Sequence, residues 1–207
     1  MKLIVLSSLT PIANEYKIIN SMFEEGLEFF HINKPSFSKA EIEGFIKQIP
    51  SVYHSRIAIH TDFPKFHSLE ELIAYTPAEK KQIAFLSPIF DSISKTGYKS
   101  AFTDSLNKFI QLKPQVITSV KNKNIIALGG VDENKIELVR KVGFSGAAVL
   151  GAIWNSKDPF ASFLKIWNIC NSKAFLRREI FMDEAPDSPS PKTSVKKSTR
   201  LPSSNNN

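Results

Sequence analysis

The stretch "ALGGVDEN" (residues 127–134), together with "VLGAIWN" (residues 149–155), decides the fold of this 207-residue chain. Each stretch ends an apolar strand and continues through glycine into a turn. An open doubly wound sheet normally carries its glycine-rich turn after the first strand, but "LIVLSSLTP" (residues 3–11) contains no glycine. In (β/α)8 barrels the loops after the last strands frequently form a phosphate site. The glycine positions therefore favour a barrel.

Strand-like and helix-like segments alternate along the chain. Six apolar runs have the length and near-continuous hydrophobicity of strands that are covered on both faces: residues 3–6, 27–32, 56–60, 83–86, 125–128 and 147–150. Helix-capping patterns lie between them, such as Ser38 with Glu41 and Ser68 with Glu71. We predict an α/β fold with a parallel sheet. It is a TIM-barrel-derived (β/α) domain that is incomplete, because a closed barrel needs eight strands.

The composition indicates one folded domain followed by a disordered tail. With 42% hydrophobic and 23% charged residues, the chain can bury one substantial core, and we predict one domain over residues 1–175. From about residue 183 the chain consists mostly of Pro, Ser, Lys and Asn. Ordering such a segment would cost more entropy than its contacts could return. We therefore expect residues 176–207 to form a flexible, mostly disordered tail.

Charge, cysteine content and hydropathy limit the compartment and the partners. The net charge is +7, but the basic residues are scattered and form no stripe with interleaved aromatics, so we predict no nucleic-acid partner. Cys170 is the single cysteine, and no window holds the roughly 20 apolar residues of a membrane span. These features are typical of a cytoplasmic protein with no membrane contact. A mildly basic enzyme of anionic substrates fits them.

Four segments of the chain carry a resemblance to one known superfamily. They are "EEGLEFFHINKP" (24–35), "FHSLEEL" (66–72), "FLSPIFDSISKTG" (85–97) and "IALGGVDENKIELVRKVGFSGAAVLGAIW" (126–154). In this order they resemble the thiamine phosphate synthases and thiazole tautomerases. The resemblance covers most of residues 1–173. It implies a transferase of thiamine biosynthesis that couples a pyrimidine pyrophosphate to a thiazole phosphate, with Mg²⁺ as its cofactor.

The resemblance also implies a phosphate site and two catalytic residues. It assigns phosphate and pyrophosphate binding to three loop residues and to a backbone cradle: Ser92, Ser94 and Lys95 in the loop, and Gly129, Gly130, Leu150 and Gly151 in the cradle. Lys95 would also be catalytic, and His67 matches a histidine that transfers protons in the tautomerases. From the residues alone, other readings stay open. The glycine pair could form only a tight turn, Lys95 could lie in a solvated loop, and His67 could be a surface residue before the Ser68 cap.

The pyrimidine side departs from the pattern of the superfamily. Asn33 and a proline replace its cationic residues, although Lys34 could supply a displaced cation. His31 and His60 end apolar strands, and we expect both at the barrel mouth. The metal-binding Asn-Asp pair falls on His60 and a threonine, with Asp62 one residue late. Mg²⁺ prefers carboxylate oxygens in strict octahedral geometry, so Asp62 is a weak metal ligand and metal-dependent coupling should be impaired. No His-Cys-carboxylate spacing indicates zinc.

A further departure lies between His60 and His67, where only "TDFPKF" intervenes. Typical members of the superfamily have a fourth strand, a second metal-binding Asp and a fifth strand in this interval. Two adjacent missing strands would leave their neighbours with unpaired backbone. The sequence therefore predicts a smaller or distorted barrel, an open sheet, or a homodimer that fills the gap.

Three functional hypotheses follow from these observations. The first is a thiamine-pathway enzyme, either the synthase or a tautomerase-like protein that needs no metal. The second is a catalytically impaired or inactive relative that still binds phosphate. The third is an internally deleted, marginally stable product with no biochemical role. We expect phosphorylated pyrimidine and thiazole compounds as partners under the first, and a phosphate compound under the second.

Overall fold

The computed structural model describes residues 1–77, 82–91, 93, 120 and 123–172, and these residues form one parallel sheet flanked by helices. The sheet has seven strands in the order β3-β2-β1-β7-β6-β5-β4, and every recorded strand pair is parallel. The strands are β1 (Lys2–Leu6), β2 (Phe29–Ile32), β3 (Ile57–Ile59), β4 (Lys65–Phe66), β5 (Ala84–Leu86), β6 (Ile125–Leu128) and β7 (Gly146–Val149). Met1–Ser172 is one compact unit.

Six α-helices occur in the same residues. They are α1 (Glu15–Glu24), α2 (Lys39–Lys47), α3 (Leu69–Ala74), α4 (Ile136–Val142), α5 (Gly151–Trp154) and α6 (Pro159–Asn171). Two 3₁₀ segments, Ser51–Arg56 and His60–Asp62, flank β3. Within the described ranges, none of the helices has both the length and the apolar character that crossing a membrane requires.

The strand order is that of a barrel opened at one place. β1 pairs with β2 on one side and with β7 on the other, so the first and last strands are neighbours, as in a closed barrel. The sheet is strongly curled, because the ring of His31 on β2 lies only 5.6 Å from that of Phe85 on β5, although three strands separate β2 from β5. In the described part of the chain β3 and β4 are the edges. This is a TIM-barrel-like α/β fold, as the sequence predicts.

The described residues contain one strand more than the six that the sequence predicts. All six predicted strands form, but Lys65–Phe66 adds a seventh, so the expectation that two adjacent strands are missing was wrong. β4 was missed because it has only two residues and no apolar run. Its pairing with β5 is nevertheless regular, since the Phe85 N–H donates to the Pro64 carbonyl and the Ser87 N–H donates to the Phe66 carbonyl, each at 2.9 Å.

Two apolar layers follow from strand alternation. The larger one lies between the sheet and the helices and includes Val5, Ile19, Phe30, Val139 and Phe163. The smaller one fills the concave inner side of the sheet with Ile4, Leu6, Phe85, Ile126 and Ala148. The inner layer matters for function because it forms the floor beneath the carboxyl ends of the strands. The tail predicted for residues 176–207 lies outside the described residues.

Candidate functional site

A cavity of about 260 Å³, here called the mouth cavity, lies at the carboxyl ends of the strands. Each of the seven strands contributes at least one lining residue, which lies either within the strand or directly after its last residue. The lining is Leu6, Asn33, His60, Lys65, Ser87, Pro88, Ile93, Leu128, Gly129, Gly130, Val131, Leu150 and Gly151. The carboxyl ends of parallel strands are the usual place for ligand sites in barrels. No aspartate or glutamate is among these described lining residues.

The four predicted cradle residues all line the mouth cavity: Gly129, Gly130, Leu150 and Gly151. The glycines have no side chain, so they contribute only backbone atoms to the lining; the carbonyls of Gly129 and Gly130 already accept from the Phe90 N–H and the Lys135 ammonium group. Gly151 begins α5, and this helix is tied to β1 by Trp154, whose indole N–H donates to the Leu6 carbonyl at 2.6 Å. No local sequence pattern indicates that contact, because Leu6 and Trp154 are 148 residues apart.

The glycine pair is required by close packing between two loops. Gly129 and Gly130 have φ angles of +91° and +65°, which side chains disfavour. A Cβ on Gly129 would lie 2.8 Å from the Cα of Pro88, and a Cβ on Gly130 would overlap the carbonyl oxygen of Asp91. The loop after β6 therefore lies directly against the loop after β5.

The loop after β5 is described only in part. Ser92, Ser94 and Lys95, the predicted phosphate ligands, lie outside the described residues. Ile93 is described and lines the mouth cavity, and its carbonyl accepts a hydrogen bond from the Asn155 side chain at 3.1 Å. The described ends of this loop thus reach the predicted cradle.

Two buried histidines lie on the concave side of the sheet. His31 and His60 have ring centroids 5.8 Å apart, and their Nδ1 atoms are buried without a hydrogen-bond partner. Burial, with a further contribution from the charge of Lys65, lowers the pKa of His31 to about 4. Burial first, then Lys65 and His31, lowers the pKa of His60 to about 3. Both imidazoles are therefore uncharged at neutral pH.

The two histidines reach different cavities. His60 lines the mouth cavity, as predicted. His31 instead lines a second space of about 640 Å³, here called the lower cavity, together with Ile4, Phe29 and Phe63. Its ring stacks on that of Phe63 at 4.7 Å.

Lys34 and Asn33 have different surroundings. Lys34 is buried in an ion pair with Glu15 at 2.7 Å, and its ammonium also donates to the carbonyls of Ser8 at 2.8 Å and Thr10 at 3.5 Å. These three acceptors use its three N–H groups. Burial raises the pKa of Glu15, although Lys34 opposes this rise. Asn33 lines the mouth cavity, where its backbone N–H donates to the Ser7 hydroxyl at 2.8 Å.

Lys65 is a site residue that was not predicted from the sequence. It belongs to β4, lines the mouth cavity, and burial lowers the pKa of its ammonium group. The signal that could have identified it is the single apolar residue beside it, Phe66, which indicates a very short strand with Lys65 on the opposite face.

His67 lies beside the mouth cavity and is exposed. Its Nδ1 is 2.8 Å from the carbonyl oxygen of Ser87, a residue that lines the cavity. A carbonyl can only accept, so this contact places the proton on Nδ1 and leaves the lone pair on Nε2 of the neutral ring.

Asp62 does not line the mouth cavity. It is exposed and lines the lower cavity instead. Among the described residues there is no group of three or more His, Cys, Asp or Glu side chains that could hold a metal ion. Mg²⁺ prefers carboxylate oxygens, whereas the described lining of the mouth cavity offers a lysine and no carboxylate. The residues present there do not fit Mg²⁺.

Comparisons with known proteins agree with this geometry. A thiamine-phosphate synthase of Limosilactobacillus reuteri (strain DSM 20016) is 28% identical over 82 residues, which are 40% of this chain and 35% of that relative, so the match spans about a third of its length. A solved thiamine phosphate pyrophosphorylase from Bacteroides thetaiotaomicron has a TM-score of 0.66 and 27% identity, covering 83% of this chain and 98% of its own.

A second solved structure supports the fold alone. It is a thiamine phosphate pyrophosphorylase from Pyrococcus furiosus, with a TM-score of 0.61 and 16% identity, covering 81% of this chain and 94% of its own. No protein-family model matches the chain. The sequence segments, the opened-barrel topology and these relatives agree with one another: the comparisons support the superfamily of thiamine phosphate synthases and thiazole tautomerases, which this chain resembles in sequence and fold.

Proposed function

We propose that this protein binds a phosphorylated small molecule of thiamine synthesis, and specifically a thiazole phosphate, in the mouth cavity. The observation that carries the proposal is the described lining of that cavity, which contains glycine backbone and one lysine but no carboxylate. Peptide N–H groups and an ammonium group both favour an anion. One relative is named a thiamine-phosphate synthase and the other a thiamine phosphate pyrophosphorylase, which supports the choice of the thiamine pathway.

We further propose that coupling to a pyrimidine pyrophosphate is impaired. Coupling requires that the charge of the departing pyrophosphate be stabilised in the transition state, which is a task for preorganised charges. The mouth cavity has no described carboxylate for a metal ion, and the ammonium group of Lys34 is already used by Glu15 and two carbonyls. The described residues of the cavity can therefore bind and orient the thiazole phosphate better than they can stabilise the departing pyrophosphate.

A metal-independent tautomerase activity is the second candidate, and the contact of His67 favours it. The Ser87 carbonyl orients the ring at 2.8 Å and leaves Nε2 as a base next to the cavity. A base that is held in one tautomer can move a proton between two carbon atoms of a bound ligand.

We also propose that the protein is cytoplasmic and forms a homodimer.

Isothermal titration calorimetry with thiazole phosphate tests the binding proposal. We expect saturable one-site binding in the presence of EDTA. A parallel assay with pyrimidine pyrophosphate and Mg²⁺ should give a turnover well below about 1 per second, the low end of typical enzyme values. Absence of any thiazole phosphate binding would overturn the proposed function. Turnover at an ordinary enzymatic rate would overturn the proposed impairment, and EDTA-resistant isomerisation lost in His67→Gln would establish the tautomerase.

A further inference from the structure

We infer that Lys65 is the cation that binds the phosphate or pyrophosphate group of the ligand in the mouth cavity, in the place that a metal ion would otherwise take. The inference rests on the proposed function and deepens it, because it names the residue that supplies the charge. It depends on the strand register, the lack of partners for the ammonium group, and the neutrality of the neighbouring side chains.

The register of β4 turns Lys65 toward the inner side of the sheet. Lys65 is opposite Phe85 in the β4–β5 ladder, and Phe85 belongs to the inner apolar layer. The next residue, Phe66, is opposite Leu86 and packs with the outer layer, where its ring lies 4.7 Å from that of Tyr75. Successive side chains of a strand point to opposite faces, so Lys65 points inward. It lies in the mouth cavity together with the glycine cradle.

The ammonium group of Lys65 has no hydrogen-bond or ion-pair partner within the described residues. Three other lysines that are removed from solvent have such partners, whereas the half-buried Lys2 of the lower cavity has none among the described residues. Lys34 contacts Glu15 and two carbonyls, Lys123 contacts the carbonyls of Leu72 and Ile73, and Lys135 contacts Asp132 and the Gly130 carbonyl. A cation taken partly out of water is costly unless it is paired. An unpaired cation that lines a cavity therefore indicates an anionic ligand.

The neighbours of Lys65 neither neutralise it nor compete with it. On the inner side it faces the rings of His31 and His60 from β2 and the end of β3, and both rings are uncharged at neutral pH. Phe85 from β5 is apolar. The described lining of the cavity adds the amide of Asn33, the hydroxyl of Ser87 and glycine backbone, with no acidic group. At neutral pH the charge of this lining is the single positive charge of Lys65.

The same lining explains why a lysine and a metal ion are alternatives here. A divalent cation would be repelled by the ammonium group and would find no carboxylate ligand among the described lining residues. An anionic phosphate oxygen would instead gain a charge-assisted hydrogen bond from Lys65. Either the phosphate of a thiazole phosphate or a pyrophosphate group offers that oxygen, and separate probes distinguish the two.

Calorimetry on the full chain with four proteins tests the inference. The proteins are the unmodified chain, Lys65→Met, Lys65→Arg and the control Lys47→Met, which changes an exposed lysine at the end of α2. The probes are inorganic phosphate, inorganic pyrophosphate and thiazole phosphate, each in EDTA. We expect Lys65→Met to weaken binding by about ten- to a hundredfold, the usual effect of losing a charged hydrogen bond. Lys65→Arg should retain most of the affinity, and Lys47→Met should match the unmodified chain.

Melting temperatures of the variants and the three probes distinguish a loss of the charged contact from a loss of folding. Lys65→Met should not lower the melting temperature, because it removes an unpaired charge from a partly buried position. If Lys65→Met did melt at a lower temperature, Lys65→Arg would decide: retained binding in that variant would support the inference. Equal affinity in Lys65→Met and the unmodified chain would overturn the inference while leaving the proposed function intact. Binding of the probes that appears only when Mg²⁺ replaces EDTA would also overturn the inference. If the unmodified chain bound none of the probes with or without Mg²⁺, the proposed function and the inference would both fail.

Discussion

At the residue scale, the glycine pair links the fold to the site. Gly129 and Gly130 line the mouth cavity, but the atoms that exclude a side chain there belong to the loop after β5 and not to a ligand. A Cβ would meet protein backbone before it met a phosphate. The glycines are therefore required mainly for the contact between the two loops. The absence of side chains from this part of the cavity lining is a consequence of that contact.

We predict that Gly130→Ala destabilises the protein strongly. Its Cβ would overlap the Asp91 carbonyl oxygen and would lie 2.7 Å from the Cβ of Phe90, at a φ of +65°. Gly44→Ala is the matched control, because Gly44 lies within α2 with no atom within 4 Å of the added Cβ. We expect Gly44→Ala to raise the free energy of unfolding by about 0.5–1 kcal/mol through helix propensity. Thermal melts of both variants give the comparison, and an equal melting temperature for Gly130→Ala would contradict the loop contact.

Acid sensitivity is the second prediction at this scale, and it follows from His31 and His60. Their pKa values are about 4 and about 3 in the folded state, below the unfolded value near 6.5. Between these values the unfolded chain binds more protons, so the free energy of unfolding falls as the pH falls below about 6.5. The loss should reach several kcal/mol by about pH 4.

Urea unfolding at a series of pH values between 7 and 4 would measure this slope. His31→Phe is the informative variant, because the ring of His31 already stacks on Phe63 at 4.7 Å and a phenyl ring preserves that contact. We expect its stability to depend less on pH over this range than that of the unmodified chain. An identical slope in the two proteins would show that His31 is not the group that titrates.

At the element scale, local signals in the sequence were sufficient for most of the fold. The capping box of Ser38 and Glu41 was predicted and is present, with Ser38 accepting from the Glu41 N–H and Glu41 accepting from the Ser38 N–H. Ser68 caps α3 by accepting from the Glu71 N–H, also as predicted. Both motifs act within four residues, so the sequence carries them in full.

The features that could not be predicted are those that depend on distant residues. β4 exists because β5 offers it a partner, not because its two residues favour a strand. Lys34 was predicted as a cation for the pyrimidine side, but Glu15 lies 19 residues away along the chain and pairs with it. No local sequence pattern indicates a contact between residues so far apart along the chain. The role of Lys65 likewise becomes visible only once the register with Phe85 is known.

At the scale of the whole molecule, the opened barrel leaves two strands that differ from the rest. β1 has a partner on both sides, β2 and β7, whereas β3 pairs only with β2 in the described residues. The lower cavity, of about 640 Å³, lies next to this edge and is lined by Ile57 and Ala58 of β3. An edge strand with unpaired backbone groups is also a surface on which another chain can add.

We predict that the amides of β3 exchange with solvent much faster than those of β1. Local opening costs least where a strand has one neighbour and borders a cavity, and most where it is central. Hydrogen–deuterium exchange followed by mass spectrometry, on peptides that cover Ile57–Ile59 and Lys2–Leu6, measures the difference. The experiment should be run at two protein concentrations a hundredfold apart. Protection of β3 that rises with concentration would mean that a second copy covers the edge, as the predicted homodimer requires. Protection of β3 equal to that of β1 in a sample that size-exclusion chromatography shows to be monomeric would contradict the open edge, because only a partner strand within the same chain could then supply it.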